Sequence, residues 1–556
     1  MYSKFWPVLF VAFFFVFHQP SAAQSTPTWR WLQQIGGPQD DLPSGVATDA
    51  SGNTIAAGNF SGTVQIDGLS LTSPVGSNRN LYVVKYDPQG TVLWARRAGD
   101  AGPGSGYSAT SLSVTTDALG DVYVVGDYTG RITFGSTTLV STGFGINAFV
   151  AKYSANGTPL WAQTVSGNQG ADNYTVAVDG AGNVLVGGSY YGTISFGTLS
   201  LTSLSPMDGD VFLAKYNSQG VIQWARSIGG SSDDYVSSVC SDTQGNVYIS
   251  GSFASYATFG TQSVVSNGGT DVYLAKYNAQ GTLQWVNSYG GATNDFGNST
   301  VVDSAGNVYL AGSFSGTMAL TNALSLTSQG GDDGFVLACT AAGVIRWAKQ
   351  VGGNGTDNFG VLAISPTNNV YAVGSFENSI VVGNQTMVSA GAADVLLARF
   401  NTTGDIIWST RGGGTGYDAP NGLAYAGNGI LAMTVRFAGS TQFGPFVASS
   451  RGAFDAVVLQ IQDATPLTTR TAALPVAVAY PNPFATEFVV DLSQISTPGD
   501  ITLFDSSGKQ VYQEEMLLGF KTQKVTPPLG ILPGVYWVQI KASGRPIQHI
   551  KLLKTM

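Results

Sequence analysis

The stretch VYLAKYNAQGTLQW at residues 272–285 contains the pattern that decides the fold. Its first half is a short apolar run that ends in Lys276 and Tyr277, and its second half leads to Trp285. Gly281 lies between the halves, where a glycine permits the positive φ that a tight hairpin turn needs. The stretch therefore predicts two antiparallel β-strands joined by a short turn.

This phrase recurs along the chain, and its tryptophan marks a repeat of about 61 residues. Successive copies are 63, 67, 63, 61, 62 and 61 residues apart, at Trp31, Trp94, Trp161, Trp224, Trp285, Trp347 and Trp408. A second phrase, DSAGNVYLAGSF at 303–314, has a counterpart in each period and predicts two further strands around its Gly-Asn turn. Self-similarity at a fixed period indicates equivalent modules of four strands each.

Seven such periods predict an all-β chain with a seven-bladed β-propeller over residues 24–464. The segment TWRWLQQIGG at 28–37 matches only a fourth strand, whereas the last copy, 417–462, lacks one. We therefore expect the N-terminal strand to complete the last blade, which removes open sheet edges. At the level of residues the copies resemble the SBBP-type bacterial β-propeller repeat, a family without an assigned activity.

Residues 1–23 have the features of a Sec signal peptide. A positively charged start at 1–4 precedes an apolar run at 5–17, and small residues then predict cleavage between Ala23 and Gln24. The apolar run is too short to span a membrane, and no later run reaches eighteen apolar residues. The sequence thus predicts export without a transmembrane segment.

The repeat pattern stops after residue 464, and a Thr/Ala/Pro-rich linker is predicted at 465–477. Residues 478–556 contain several short alternating strands, which predict a small β-sandwich. YPNPF at 480–484, LPGVYWVQI at 532–540 and the terminal KLLK resemble the type A C-terminal sorting domain of the type IX secretion system. The positions that carry this resemblance are Tyr480, Pro481, Asn482, Pro483, Gly534, Tyr536, Lys551 and Lys554.

The resemblance implies that the type IX secretion machinery is a partner of the C-terminal segment. Members of that family cross the outer membrane, lose the sorting domain and are usually attached to a surface glycolipid. The implied location is therefore extracellular, with attachment at the outer cell surface after removal of the sorting domain.

Composition excludes several function classes. The formal net charge of −9 argues against a nucleic-acid partner, because phosphate binding needs a basic face. The only two histidines are His18 and His549, so no His-based triad, zinc site or general base can be built between them. Cys240 and Cys339 occupy non-equivalent repeat positions and are interpreted as free, buried thiols.

The loops before the first strand of a repeat predict a partial acidic ring near the channel mouth. The second and seventh copies are expected to lack the acid, and the ring consists of Asp41, Asp172, Asp234, Asp295 and Asp357. Carboxylates of this kind could bind Ca²⁺ or sugar hydroxyls, while the alternative is that each caps its own turn. No cofactor is required by the sequence, and Ca²⁺ is the one candidate.

Two further sets of side chains were assigned structural roles. Acids that begin the third strand of a repeat are interpreted as turn caps and contacts between blades, at Asp210, Asp271, Asp394 and Asp455. Aromatic residues shortly after the ring acids are interpreted as strand packing, at Tyr174, Tyr235, Phe296 and Phe359.

Three functions remain open at this point. The sequence favours a non-catalytic, surface-displayed module that binds a glycan or a protein in adhesion or envelope assembly. The alternative is a purely structural surface or matrix module. A secreted enzyme is disfavoured: the repeat phrase resembles quinoprotein repeats, but a vicinal cysteine pair is missing, and a hydrolase or lyase would have to use Asp alone.

Overall fold

The computed structural model describes residues 26–74, 77–100, 107–141, 145–205, 207–463, 479–492, 498–517, 520–542 and 548–555. These residues form strands and turns without any helix, which confirms the all-β prediction. The predicted signal peptide with Ala23 and Gln24, and the predicted linker 465–477, lie outside the described residues. In the described part of the chain no helix is long and apolar enough to cross a membrane.

Contacts divide the chain into an N-terminal domain, Met1–Thr465, and a C-terminal domain, Pro466–Met556. The first half of the N-terminal domain contains β1 Thr28–Gly36, β2 Leu42–Thr48, β3 Thr54–Phe60, β4 Thr63–Ile66, β5 Leu69–Thr72, β6 Ser77–Tyr86, β7 Val92–Ala98, β8 Tyr107–Thr116, β9 Val122–Thr129, β10 Arg131–Phe134, β11 Thr137–Val140, β12 Asn147–Tyr153, β13 Pro159–Gly167, β14 Ala171–Val178, β15 Val184–Tyr190, β16 Thr193–Ser195, β17 Ser200–Thr202, β18 Asp210–Tyr216 and β19 Ile222–Gly230.

The second half contains β20 Asp234–Ser241, β21 Val247–Phe259, β22 Gln262–Tyr277, β23 Leu283–Tyr289, β24 Asp295–Val302, β25 Val308–Phe314, β26 Thr317–Thr321, β27 Leu324–Thr327, β28 Asp333–Cys339, β29 Ile345–Gly353, β30 Val361–Ile364, β31 Val370–Phe376, β32 Ser379–Val382, β33 Gln385–Val388, β34 Asp394–Phe400, β35 Ile406–Gly414, β36 Asp418–Gly427, β37 Ile430–Phe437, β38 Ser440–Phe443, β39 Phe446–Ser449 and β40 Asp455–Gln462.

Strand pairing joins these strands into seven four-stranded antiparallel modules, numbered here in chain order. From first to fourth strand they are β2-β3-β6-β7, β8-β9-β12-β13, β14-β15-β18-β19, β20-β21-β22-β23, β24-β25-β28-β29, β30-β31-β34-β35 and β36-β37-β40-β1. The seventh module takes its fourth strand from the start of the chain, with Thr28 opposite Gln462 and Ile35 opposite Ala456. This pairing agrees with the incomplete first and last copies of the repeat.

The first strands of the modules contact one another in a closed cycle, β2-β8-β14-β20-β24-β30-β36 and back to β2. They surround a cavity of about 400 Å³ whose lining includes residues from all seven modules. Six first strands carry a one-residue bulge opposite a regular second strand, and Tyr174 and Ser237 are two of the bulged residues. The bulge re-aims one side chain toward the cavity in each case.

The long inserts between the second and third strands form hairpins, and these pair with the fourth strand of the preceding module. Ile66 of β4 pairs with Ile35 of β1, and the same contact recurs between β16 and β13, β21 and β19, β32 and β29, and β38 and β35. Two residues of each insert pair in this way, so the inserts hold neighbouring modules together.

Each repeat tryptophan also bridges two modules. The Trp224 Nε1–H donates to the carbonyl of Ala279 in the next module at 3.1 Å, and the ring covers Gly281, where a Cβ would lie 2.8 Å from it. Gly281 has a φ of +74°, so the turn needs glycine both for its conformation and for this approach. The same donor contact is made by Trp31, Trp94, Trp161, Trp285 and Trp347.

We expect Trp224→Phe to lower the free energy of unfolding of the N-terminal domain by about 1 kcal/mol, because the aromatic ring is kept but one hydrogen bond is lost. Denaturant unfolding, followed by intrinsic fluorescence and far-UV circular dichroism, measures the change. An unchanged midpoint would show that this contact does not stabilise the junction.

Buried basic side chains of the third strands pair with the acid of the turn in their own module. Lys215 Nζ lies 2.8 Å from Asp179 Oδ2, and Lys85 lies at the same distance from Asp49. The acid that begins the third strand does not pair with this base and caps the preceding loop. In module 4, for example, Asp271 Oδ2 accepts the Asn267 N–H at 2.8 Å. Cys240 and Cys339 are free thiols, as predicted.

The C-terminal domain contains two antiparallel sheets that share one apolar core. Phe484, Phe488, Val490, Val538 and Leu552 are among the side chains buried between them. The strands are β41 Ala479–Tyr480, β42 Phe488–Asp491, β43 Gly499–Asp505, β44 Gln510–Glu515, β45 Thr522–Val525, β46 Gly534–Ala542 and β47 Gln548–Lys554. Their order is β41-β42-β45 in one sheet and β44-β43-β46-β47 in the other.

Candidate functional site

Strand register shows which residues of the acidic ring are equivalent. Asp234 lies opposite Phe253 and Asp295 lies opposite Phe314. Each phenylalanine ends the second repeated phrase, which is DSAGNVYLAGSF in the copy with Phe314. Asp418 lies opposite Phe437 in the same way, so the expectation that the seventh copy lacks the acid is wrong.

Modules 2 and 3 carry alanine at this position. Ala109 lies opposite Tyr128 and Ala171 lies opposite Tyr190. Asp172 therefore occupies the next position along β14 and faces a different environment from the ring acids. Sequence spacing could not separate the two positions, because the loops before the first strands differ in length.

The ring acids are buried. Asp41, Asp234, Asp295 and Asp418 have no exposed surface, and Asp357 is 2% exposed. A polysaccharide cannot contact side chains that are enclosed in this way. The part of the hypothesis that assigned these carboxylates to sugar hydroxyls is therefore not supported by their placement.

Three ring acids cap their own loops. The Oδ2 atoms of Asp295, Asp357 and Asp418 accept the backbone N–H of the residue four positions earlier, at 2.8, 2.7 and 2.8 Å. This local bond fixes the turn that leads into the first strand. The alternative that each acid caps its own turn thus describes what these three side chains do.

Glycine pairs before the ring acids allow two close approaches. A Cβ on Gly229 would lie 2.2 Å from Asp210 Oδ1, and a Cβ on Gly230 would lie 1.8 Å from the carbonyl oxygen of Tyr256. Both distances are far inside van der Waals contact, so neither position accepts another residue without backbone movement. The repeated Gly-Gly is therefore explained by packing at the module junction.

Two aromatic residues next to the ring are exposed, contrary to the interpretation that they pack inside a strand. Tyr235 is 43% exposed and Phe296 is 39% exposed, whereas Phe359 is fully buried as expected. Each of the two exposed rings immediately follows a buried ring acid, and side chains alternate along a strand. Burial of the acid thus directs the next ring outward.

These rings line a cavity of about 480 Å³. Its lining includes Leu112, Tyr174, Tyr235, Ser237, Phe296 and Asn298. Four of these residues, Leu112, Tyr174, Ser237 and Asn298, also line the central cavity, so the two spaces adjoin where the first strands begin. We call this space the mouth cavity.

The mouth cavity breaks the equivalence of the modules. Tyr235 and Phe296 correspond by register to Leu42, Thr110, Asp172, Asn358 and Ala419 in the other modules. Large exposed rings at this position occur only in modules 4 and 5 among these residues. A feature found in every module serves the fold, whereas one confined to neighbouring modules indicates a local site.

Acidic groups lie beside the aromatic rings. The Tyr174 hydroxyl donates to Asp172 Oδ2 at 3.4 Å and accepts from the Ser189 hydroxyl at 3.1 Å. Burial raises the pKa of Asp172, and burial followed by the charge of Asp233 raises the pKa of Tyr235. The cavity thus combines ring faces with hydroxyl and amide groups, and carboxyl groups lie next to its lining residues.

Among the residues that the structure describes, no group of three or more His, Cys, Asp or Glu side chains is arranged to hold a metal ion. Each ring acid instead lies beside the residue that begins the third strand of the preceding module.

The sorting-motif residues are brought together at the last strand of the C-terminal domain. Asn482 accepts the Leu553 N–H at 2.9 Å and donates to the Lys551 carbonyl at 3.0 Å. Lys554 Nζ donates to the Ala485 carbonyl at 2.6 Å. The side chain of Asn482 in YPNPF therefore binds the backbone of β47. The peptide bonds before Pro481 and Pro483 are cis.

The other motif residues lie on β46. Tyr536 is buried, and its hydroxyl donates to the Leu532 carbonyl at 2.7 Å, while Gly534 opens the strand. Tyr480 is 47% exposed. The motif therefore contains residues that stabilise the domain, such as Tyr536, and exposed residues, which are Tyr480, Pro481, Asn482, Pro483 and Lys551.

Residues 478–554 match the family model of the secretion system C-terminal sorting domain. The C-terminal domain is thus a sorting domain of the type IX secretion system. The chain is accordingly a secreted protein that is attached at the cell surface.

Two curated relatives match part of the chain. An uncharacterized WD repeat-containing protein of Acanthamoeba polyphaga mimivirus is 24% identical in an alignment of 430 residues that covers 63% of this chain and 30% of that protein. The regulatory protein FlaEY of Caulobacter vibrioides is 25% identical in an alignment of 430 residues that covers 73% of this chain and 42% of that protein. The chain thus spans less than half the length of either relative.

The solved structures that align with this chain do so with low TM-scores and low sequence identity. A puromycin hydrolase mutant complexed with PGG aligns with a TM-score of 0.35 and 12% identity, over 74% of this chain and 62% of that one. A cobalt-substituted apocarotenoid oxygenase of Synechocystis aligns with a TM-score of 0.32 and 10% identity, over 78% of this chain and 94% of that one.

Proposed function

We propose that the N-terminal domain is a seven-bladed β-propeller of SBBP-type repeats that acts outside the cell as a non-catalytic binding module for a glycan. The seven antiparallel modules, the cycle of first strands and the β1–β40 pairing support the blade count. The sorting domain supports export by the type IX machinery, followed by removal of that domain.

The mouth cavity is the observation that carries the binding role. It is concave, adjoins the central cavity, and is lined by two exposed rings that occur in neighbouring modules only. Binding sites for small ligands are typically clefts with apolar walls and a few fixed polar groups.

The chemistry of this lining fits a sugar ring. The faces of Tyr235 and Phe296 offer apolar surface to the C–H groups of a pyranose, and Ser237 and Asn298 offer partners for hydroxyl groups. A chain of sugars could extend from the mouth cavity along the acidic surface near Asp233.

A non-catalytic role is supported by the residue types present. The N-terminal domain after the leader contains no histidine, and the carboxylates of the ring are enclosed in module junctions. A general acid or base must reach a substrate proton, and an enclosed side chain does not.

We expect the exported chain to be retained on one member of a polysaccharide panel, and Tyr235→Ala or Phe296→Ala to weaken that affinity about tenfold or more. Tyr256→Ala is the matched control, because Tyr256 is a 38% exposed ring of the same module outside the mouth-cavity lining. Affinity is measured by titration calorimetry, and the eluates are assayed for cleaved products.

Product formation would replace the binding role by an enzymatic one. Absence of retention across a broad panel would instead favour a structural surface or matrix module, which is the alternative function. Equal losses for Tyr256→Ala and Tyr235→Ala would show that the mouth cavity is not the binding site.

A further inference from the structure

Two positions vary together at the seven module junctions. One is the ring position at the start of a first strand, and the other is the position that starts the third strand of the preceding module. Five junctions carry two aspartates and two junctions carry asparagine with alanine; the pairs are Asp455/Asp41, Asp210/Asp234, Asp271/Asp295, Asp333/Asp357, Asp394/Asp418, Asn80/Ala109 and Asn147/Ala171.

The two members of a pair are held next to each other by the backbone. The Asp234 N–H donates to the Gly209 carbonyl, just before Asp210, at 2.8 Å. The corresponding bond from Asp41 to the Phe454 carbonyl, just before Asp455, is 2.9 Å long. Neighbouring modules therefore bring two carboxyl groups together at each of these junctions.

Carboxyl oxygens of the pairs lack partners although they are enclosed. Both oxygens of Asp41 and Asp234 accept no hydrogen bond of ordinary geometry from the described residues, and neither does Oδ1 of Asp210, Asp271, Asp295, Asp333, Asp394, Asp418 or Asp455. Two enclosed carboxylates of like charge repel each other, and each disfavours the ionised form of the other. A pair of this kind needs a positive charge between its members.

Two buried tyrosine hydroxyl groups without hydrogen-bond partners lie near two of the pairs. Tyr82 and Tyr273 are fully buried, and the hydroxyl group of neither has a hydrogen-bond partner among the described residues. The charges of Asp41 and Asp455 raise the pKa of Tyr82, and the charge of Asp234 raises the pKa of Tyr273, although burial is the larger cause for both. The two hydroxyls thus lie near their pairs without a hydrogen bond to either carboxyl group.

The other charged groups around the pairs are mostly acidic. Asp208 and Asp233 face Asp210/Asp234, Asp332 faces Asp271/Asp295 and Glu377 faces Asp333/Asp357. Two pairs also have a basic neighbour: Asp40 and Arg451 face Asp455/Asp41, and Arg411 lies 2.7 Å from Asp394. Asp210/Asp234, Asp271/Asp295 and Asp333/Asp357 therefore have no basic side chain among these neighbours.

We propose that each pair except Asp394/Asp418, where Arg411 lies 2.7 Å from Asp394, takes up one proton, shared between its two carboxyl groups, so that acid strengthens the module junctions. A carboxyl O–H that donates to a carboxylate forms a strong hydrogen bond, and the pair then carries one charge instead of two. The Asn/Ala junctions carry the uncharged counterpart of this arrangement, which explains why both positions change together.

The order of proton uptake follows from the surroundings. Burial, and then the charge of Asp210, raises the pKa of Asp234 to about 8, and burial raises the pKa of Asp41 and Asp295 to about 7. Burial raises the pKa of Asp357 to about 6.

The sign of the stability change is fixed by these directions. An aspartate of the unfolded chain has a pKa of about 3.9, so between about pH 4 and pH 8 the folded chain binds more protons than the unfolded chain. Stability from the pairs is fully present below about pH 4 and is lost as the pH rises through the folded-state values. This is opposite to the behaviour of an ordinary salt-bridged aspartate.

The test compares the full chain with the double variant Asp210→Asn/Asp234→Ala, which copies the natural Asn147/Ala171 junction and is therefore expected to fold. The thermal midpoint of the N-terminal domain is measured between about pH 5 and pH 8.5. We expect it to fall with rising pH in the native sequence and to fall less in the variant. The infrared carbonyl band of protonated carboxyl groups should be present near neutral pH and weaker in the variant.

The reciprocal variant Asn147→Asp/Ala171→Asp creates a sixth pair and should steepen the pH dependence. Equal pH dependence in all three proteins, without a protonated carboxyl band, would overturn the proposal. A midpoint at pH 8 that rises with added CaCl₂ and falls with EDTA in the native sequence, but not in Asp210→Asn/Asp234→Ala, would also overturn it, because the pair would then hold Ca²⁺ instead of a proton.

Discussion

Replacing Asp463 by alanine is expected to lower the free energy of unfolding of the N-terminal domain by about 3–5 kcal/mol. Asp463 accepts hydrogen bonds from the Tyr371 hydroxyl at 2.5 Å and the Trp408 Nε1–H at 2.7 Å, and it lies 2.8 Å from Arg399. Asp463 and Arg399 are 5% and 9% exposed, so the substitution leaves a buried cation and two buried donors unpaired.

Asp463 provides the acceptor for Trp408 that a turn carbonyl provides for the other repeat tryptophans. The other repeat tryptophans donate to a turn between the third and fourth strands of the next module, but the chain leaves the seventh module after its third strand. Asp463 takes the place of that turn carbonyl for Trp408. The repeat pattern does not reveal the role of Asp463, because this residue lies just beyond the last strand of the last copy.

Chemical and thermal unfolding of Asp463→Ala and Asp463→Asn provides the measurement. Asparagine keeps an acceptor for Trp408 and Tyr371 and loses only the charge that faces Arg399, so its loss should be smaller. Equal stability of Asp463→Ala and the native sequence would show that the cluster does not stabilise the closing module.

The second large effect is expected for Gly251→Ala, which should lower the free energy of unfolding by about 3 kcal/mol or prevent folding. A Cβ at Gly251 would lie 1.9 Å from the Tyr235 carbonyl oxygen and 2.8 Å from the Tyr273 hydroxyl. The contact with Tyr235 is with backbone, so no change of rotamer relieves it. Ligand binding should fall as well, since Tyr235 lines the mouth cavity.

Gly180→Ala is the matched control for this prediction. No atom lies within 4 Å of a Cβ at Gly180, and the residue does not adopt a positive φ. Alanine there should be neutral or slightly stabilising, because it restricts the unfolded chain. Equal tolerance of both substitutions, by unfolding midpoint and by yield of folded protein, would contradict the packing argument.

The sequence was sufficient for the features that repeat. The spacing of the tryptophans predicts the modules, and the incomplete copies predict the pairing of β1 with β40. Motifs that carry the sorting-domain resemblance also predicted the domain at residues 478–554. These signals are strong because each is repeated or lies within a compact motif.

Features that depend on register or on neighbouring modules could not be predicted. Asp172 follows its loop much as Asp234 does, but the register places it one position later on its strand. Asp418 occupies the ring position of the seventh copy, although the loop before it does not resemble the others. The exposure of Tyr235 and Phe296 follows from the burial of the preceding acid, which the sequence alone does not reveal. Pairs such as Asp210/Asp234 become visible only when residues from two modules are compared.

The pairing of β1 with β40 makes the last step of assembly a long-range event. Thr28 must meet Gln462, so most of the domain has to be synthesised and ordered before its first strand finds a partner. Contacts of such sequence separation form slowly. Once formed, the same pairing must break before the ring can open, so it should govern the lifetime of the folded protein among extracellular proteases.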